Sequence, residues 1–198
     1  MKRRVVRAAL LLLLATFCFF WFRRRSEVRP PRAAAVDSVV VRVLATGLHS
    51  GLLLPCGEGR VVEYGYGEWG WYARDESGWW RAPVIALVPS QGAIGRRYLR
   101  EADLEAMGRK YGGGTIAPVR VPRAAAAELL AKLDAEFAAG GEPYLNVAYD
   151  MTFVRCPERF HLFHECHDET AAWLRELGCD VQTSPIRVGL EVRDDPSG

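Results

Sequence analysis

The chain has 198 residues, enough for one domain with a real core plus a short appendage. Its net charge of +2 hides a segregation: nine of the 26 Lys/Arg and one of the 24 Asp/Glu fall within residues 1–35, so the remainder holds 17 basic against 23 acidic groups, net −6. A folded part of that sign excludes a nucleic-acid binder working through a basic face, and no CxxC pair points to a zinc ribbon or a thioredoxin-type site.

Met1 to Arg7 is basic, Ala8 to Phe22 is an uninterrupted apolar run, and Arg23-Arg24-Arg25 closes it. Residues 1–25 therefore read as a membrane anchor or as a signal segment cut after Ala33-Ala34-Ala35. The anchor is preferred, because the ten residues from Arg23 to Arg32 are long and basic for a cleavage region. Residues 26–36, with Pro30-Pro31 and three alanines, read as a linker. Residues 37–192 are the expected domain and 193–198 a disordered tail.

Within the domain, Ser38 to Ala45 alternates as a strand. His49 to Leu54 and Arg60 to Tyr64 form a hairpin around the turn residues Pro55-Cys56-Gly57-Glu58-Gly59. Gly65 to Trp80 interleaves glycine with aromatic rings. It reads either as a loop packed over the sheet edge or as the wall of a substrate groove, with Tyr64, Tyr66, Trp69, Trp71 and Tyr72 the expected substrate-binding residues. Trp80 to Val88 reads as a short helix, Ala93 to Leu99 as a strand, Glu101 to Tyr111 as a helix and Thr115 to Val121 as a strand. Arg123 to Ala138 is an alanine-rich helix with Leu129, Leu130, Leu133 and Phe137 on one side. Glu142 to Phe163 reads as irregular. After it, a helix starts at Cys166, with Thr170, Trp173, Leu174 and Leu177 on one face and Gly178 as its stop. Pro185 to Val192 is the last expected strand.

A cysteine in the first turn of a helix is a candidate nucleophile, because the unpaired N–H groups there favour the thiolate. The plainer reading is a small buried cysteine on an apolar stripe. A nucleophilic thiol needs a base, and the base needs a group that orients it. His49 opens a strand, and Gly51 on the same face leaves space beside its ring for the helix that carries Cys166. Glu63, across the hairpin within one or two residues of the position opposite His49, is the expected orienting carboxylate. His161, His164, Cys166 and His167 crowd seven residues, which also admits a zinc-binding module.

His49-Ser50-Gly51-Leu52, then Glu63-Tyr64-Gly65-Tyr66-Gly67-Glu68 and Trp71-Tyr72, then Cys166 ahead of Leu174 and Gly178, resemble a circularly permuted papain-like group. That group includes NlpC-type cell-wall hydrolases and lecithin:retinol acyltransferase-like enzymes. More closely, the pattern is similar to an uncharacterised bacterial family of that type, membrane-anchored and known only as a domain of unknown function. The resemblance implies an α+β permuted papain-like fold, an antiparallel sheet packed against helices behind an N-terminal membrane helix. It also implies a cysteine hydrolase or acyltransferase acting on an amide or ester, with Cys166 as nucleophile, His49 as base, Glu63 as orienting group and no cofactor. Cell-wall peptide is the leading substrate, an acyl ester the other, and the membrane a partner through the N-terminal segment, with the domain implied to lie on the periplasmic or extracellular side of a bacterial envelope. Glu165, His167 and Glu169 depart from the small or amide residue usual around such a cysteine and the aromatic usual three positions after it. That departure implies either an altered substrate or a pseudoenzyme that binds peptide or glycan without turnover.

Overall fold

The computed structural model describes residues 26–32, 37–46, 49–76, 78, 80–110, 114–182 and 189–193. The expected membrane segment, the Ala33-Ala34-Ala35 cluster, Trp79, the start of the last expected strand and the tail beyond residue 193 lie outside them. Among the described residues, no helix is long and apolar enough to cross a membrane.

β-Branched and aliphatic runs build the centre of a seven-stranded sheet. The strands β2 (Ser38–Thr46), β3 (His49–Pro55), β4 (Arg60–Glu68) and β5 (Ser90–Arg100) are joined in sequence order. β6 (Thr115–Pro122) flanks β2, while β8 (Met151–Phe160) and then β7 (Tyr144–Asn146) flank β5, giving the order β6-β2-β3-β4-β5-β8-β7. Every neighbouring pair in it is antiparallel. Both faces are covered, which explains why β3 and β4 are buried almost without interruption rather than on alternate residues.

Val41, Val43, Leu52, Leu54, Val62 and Tyr64 turn to one face. They pack against two helices, α3 (Arg123–Ala139) and α4 (Cys166–Glu176). α3 presents Ala126, Leu129, Leu133 and Phe137, which fall on one side of a 3.6-residue period. α4 presents Thr170, Ala171, Trp173 and Leu174, all fully buried. It ends in a Schellman arrangement: Gly178, at φ +84°, donates to Arg175 O at 2.9 Å, and Cys179 donates to Leu174 O at 3.0 Å. On the opposite face, Leu44, Leu53 and Val61 meet Leu104 and Met107 of α2 (Leu104–Lys110). Ala93, Met151 and Phe153 meet Trp69 and Ala73 of a π-helical turn, Trp69–Ala73. A short helix, α1 (Arg81–Leu87), joins that turn to β5.

Three expectations are corrected. The architecture is β-rich and mostly antiparallel rather than an α+β papain-like layout. One reason is that residues 142–163, expected to be irregular, supply two strands. Pro157 disguises β8, because proline cannot donate to a ladder, yet here it sits where the β5–β8 register breaks opposite Gly92 and no ladder bond is asked of it. Second, the expected linker contains a strand: β1 (Ser26–Arg29) lies between β9 (Asp180–Gln182) and β10 (Leu190–Val192) in a second, three-stranded sheet, and Val28 is fully buried in the main core. Third, the β3–β4 register pairs Gly51 with Gly65 and Leu53 with Glu63, so Glu63 stands opposite Leu53, four residues from His49.

Candidate functional site

Strand β3 divides the site, because successive side chains leave a strand on opposite faces. Ser50 points toward α4 and His49 away from it. The Ser50 hydroxyl donates to Thr170 Oγ1 at 3.0 Å, and Thr170 Oγ1 donates to the Cys166 carbonyl at 2.8 Å, which pins the first turn of α4 onto β3. The chain thus joins residue 50 to residue 166, but on the Ser50 face. The space expected beside Gly51 is filled by β4, whose Tyr64 carbonyl lies 2.9 Å from where a Cβ would stand.

Glu165 is the N-cap of α4, with an extended backbone (φ −132°, ψ −176°), and it shares a capping box with Asp168. That geometry folds three consecutive side chains together. The Cys166 S–H donates to Glu165 Oε2 at 3.2 Å, and His167 Nδ1 lies 2.7 Å from the same oxygen and 3.5 Å from the sulfur. With Nδ1–H directed at a carboxylate, His167 has no lone pair on that nitrogen with which to deprotonate the thiol. Burial would raise the Glu165 carboxyl, but the His167 hydrogen bond and charge outweigh it and hold the group below its ordinary range. Burial, then the Glu165 carboxylate, pushes the Cys166 thiol well above its ordinary value. Cys166 is 2% exposed. The thiolate expected from the helix N-terminus is therefore not the resting form. A helix end contributes about 0.3–1 kcal/mol, whereas full burial moves a pKa by up to about 3–5 units.

On the other face lies a cavity of about 200 Å³, bordered by Leu44, His49, Trp71, Tyr72, Met151 and Phe153 among others. The His49 ring lies over Gly65, 3.3 Å from where a Cβ would stand, and 5.1 Å from the Tyr72 ring centre. Its Nδ1 is buried and has no hydrogen-bond partner among the described residues. Burial, then the charges of His167 and Arg97, bring the His49 pKa down to about 4, so the ring is neutral at neutral pH. Tyr72 borders the cavity, and burial above all pushes its hydroxyl pKa up.

Of the expected site residues, Cys166 and His49 belong to touching elements, while Glu63 has another partner. Its carboxylate takes Arg97, at 2.7 Å from Nε and 2.6 Å from Nη2, and burial raises its pKa although the guanidinium pulls the other way. The shifted register is the reason, since it puts Glu63 beyond Gly65 from the imidazole. The expected aromatic wall divides. Tyr66, Trp71 and Tyr72 border the cavity. Tyr64 is a core residue whose hydroxyl donates to Asp134 at 2.6 Å. Trp69 is buried against Ala73 and Met151 and meets Tyr144 edge-on.

The proposed zinc ligands do not assemble either. His161 and His164 face each other across a β-bridge, and His164 leans on Tyr66 and Glu169. The donor atoms that do converge, within 4.8 Å, belong to Glu165, Cys166 and His167. The 2.7 Å separation there is a hydrogen bond, whereas tetrahedral zinc ligands with bonds near 2.0–2.1 Å stand about 3.3 Å apart. The four described cysteines, Cys56, Cys156, Cys166 and Cys179, are free. Sequence reasoning missed Glu165 and His167 as neighbours of the thiol, together with Ser50, Thr170 and Arg97. The available signal was the acid pair Glu165 and Asp168 at capping-box spacing around Cys166. No family model matches the chain, and comparison with curated proteins and with solved structures finds no match either.

Proposed function

We propose that this chain is a cysteine-dependent acyl-transfer enzyme that opens an amide or ester, with Cys166 as nucleophile and His49 as general base. The observation that carries the reading is the hydrogen-bond chain from the Ser50 hydroxyl through Thr170 Oγ1 to the Cys166 carbonyl. It seats a helix-terminal thiol beside the residue that follows a neutral imidazole whose Nδ1 has no partner among the described residues. The thiol attacks as its proton passes to His49, forming the C–S bond, and the proton then leaves with the amine or alcohol as the C–N or C–O bond breaks. The backbone N–H of Cys166, at the first position of α4, holds the developing oxyanion. Water, deprotonated by His49, then cleaves the thioester, or another acceptor does so. Glu165 and His167 act as positioning residues that keep the thiol protonated between turnovers.

A non-catalytic binding module is the second reading, favoured by one observation: the thiol donates to Glu165 and is almost fully buried. A small activated ester, p-nitrophenyl acetate, decides between them by intact mass and peptide mapping. The enzyme reading expects an acetyl thioester on Cys166, absent in Cys166→Ala and formed about 10²-fold more slowly in His49→Ala. No adduct on Cys166, or an adduct that forms equally fast without His49, overturns it.

A further inference from the structure

We infer that Tyr72 and Asn146 are positioning residues for the base: Tyr72 packs against the imidazole of His49 and fixes its plane, and Asn146 holds the turn that carries Tyr72. The inference rests on the reading of His49 as general base, and it names what replaces the carboxylate expected to orient that ring. A base of this kind needs a third group to hold it. Glu63, expected in that role, is bound by Arg97, and Nδ1 of His49 has no hydrogen-bond partner among the described residues. Packing therefore sets the orientation of the ring. The imidazole lies over Gly65, where a Cβ would come within 3.3 Å of Cε1 and Nε2. Beside it stands the Tyr72 ring, 5.1 Å away between centres and inclined by 40°, within the range of an aromatic contact.

Tyr72 is in turn held from behind. Its ring takes the space beside Gly67, where any Cβ would collide with it. Its backbone belongs to the π-helical turn Trp69–Ala73, and a buried polar side chain grips that turn at each end. Glu68, 4% exposed, caps the start and accepts the Trp71 N–H at 2.6 Å. Asn146, 5% exposed, donates through Nδ2 to the Tyr72 carbonyl at 2.8 Å. Its Oδ1 accepts from Ala148 N at 2.9 Å and from Tyr149 N at 3.4 Å, so one amide ties the turn to the loop that follows β7. The same loop offers the Tyr149 carbonyl to Arg97 Nη1 at 3.0 Å, which helps to keep the guanidinium on Glu63. A buried amide engaged on both its nitrogen and its oxygen makes a rigid link, since every broken bond would strand a polar group away from water.

The test follows acetylation of Cys166 by p-nitrophenyl acetate in the full chain, by mass spectrometry. Tyr72→Leu and Asn146→Ala should each slow it about 10- to 100-fold, the scale of misplacing a reacting group by about 1 Å. Tyr72→Phe, which keeps the ring, should recover most of that loss. Because Asn146 acts through Tyr72, the double variant should be about as slow as Tyr72→Leu alone. In a His49→Ala background neither substitution should slow the reaction further. A loss of the same size in that background overturns the clamp, as does acetylation at full rate in Tyr72→Leu, and both results leave the enzyme reading standing. A second measurement does not depend on turnover: titration of the His49 ring by NMR. Burial keeps that ring neutral down to about pH 4, so admitting water in Tyr72→Leu should raise its pKa toward 6.5, with Tyr72→Phe staying low. The other charges acting on the ring, His167 and Glu165 at the start of α4 and Arg97 of β5 with its partner Glu63 of β4, are unchanged in these variants. Should Cys166 take no acetyl group even in the unaltered chain, the enzyme reading falls and the titration decides the clamp: a raised pKa in Tyr72→Leu supports it, and an unmoved one overturns it.

Discussion

His49 and Ser50 are neighbours in one strand, yet they serve opposite sides of the sheet. On the Ser50 side a helix closes the surface, and a chain of short hydrogen bonds through Thr170, Cys166, Glu165 and His167 holds the thiol in place and protonated. On the His49 side the glycines of β4 leave a cavity, and the charges there neutralise each other. The two faces differ in kind: one is closed over a buried thiol, the other opens on a cavity beside a neutral imidazole.

The sharpest break in that contrast comes from removing either reacting group. Cys166→Ala should lower ester turnover by about 10³-fold or more, and His49→Ala by about 10²–10⁴-fold, each measured as kcat/KM with unchanged circular dichroism. Next in size is the ion pair under the cavity. Glu63→Gln leaves a buried guanidinium without its partner and should cost about 3–5 kcal/mol in urea unfolding, whereas the double variant Glu63→Leu/Arg97→Met should lose less than the single one. Equal losses in the two would show that the pair is not acting as a unit.

The pH dependence of stability is of similar size. His49 is neutral in the folded chain down to about pH 4, while in the unfolded chain it takes up a proton near pH 6.5. The unfolded state therefore binds more protons across that window, and stability should fall by up to about 3 kcal/mol as pH drops from 6.5 to 4. The His49→Gln variant should show a flatter curve there, and an unchanged slope would contradict the buried neutral imidazole. The smallest effect tests the storage side. Glu165→Gln removes the carboxylate that raises the thiol, so iodoacetamide should alkylate Cys166 about tenfold faster at pH 8, corresponding to about one pKa unit. In the unaltered chain, the partly exposed Cys56 should react before Cys166.

What could be read from the sequence follows from what alternation and capping encode. The β2-β3-β4 run, the buried face of α3, and α4 with Cys166 first and Gly178 last all show in the pattern, because period and terminators are local properties. Pairing is not local. The β3–β4 register, which moved Glu63 from His49 to Arg97, depends on how many residues the turn consumes, and β8 was hidden by a proline that matters only opposite a particular partner. The three-residue strands β9 and β10 are too short for a periodic signal, and β1 drew attention as a basic linker although Val28 reaches the core. The thiol's protonation was misjudged because a helix terminus is visible in sequence, whereas complete burial and the carboxylate of the preceding residue are not.

Chemical rescue tests the central claim most directly: the proton of Cys166 goes to the imidazole at position 49 and not to the one at 167. The rate of Cys166 acetylation by p-nitrophenyl acetate would be followed by mass spectrometry in His49→Ala and in His167→Ala, with and without added imidazole. The account predicts that imidazole restores the rate in His49→Ala by at least about tenfold and leaves His167→Ala unchanged. Rescue confined to His167→Ala would contradict it and transfer the role of base to the cluster at the helix start.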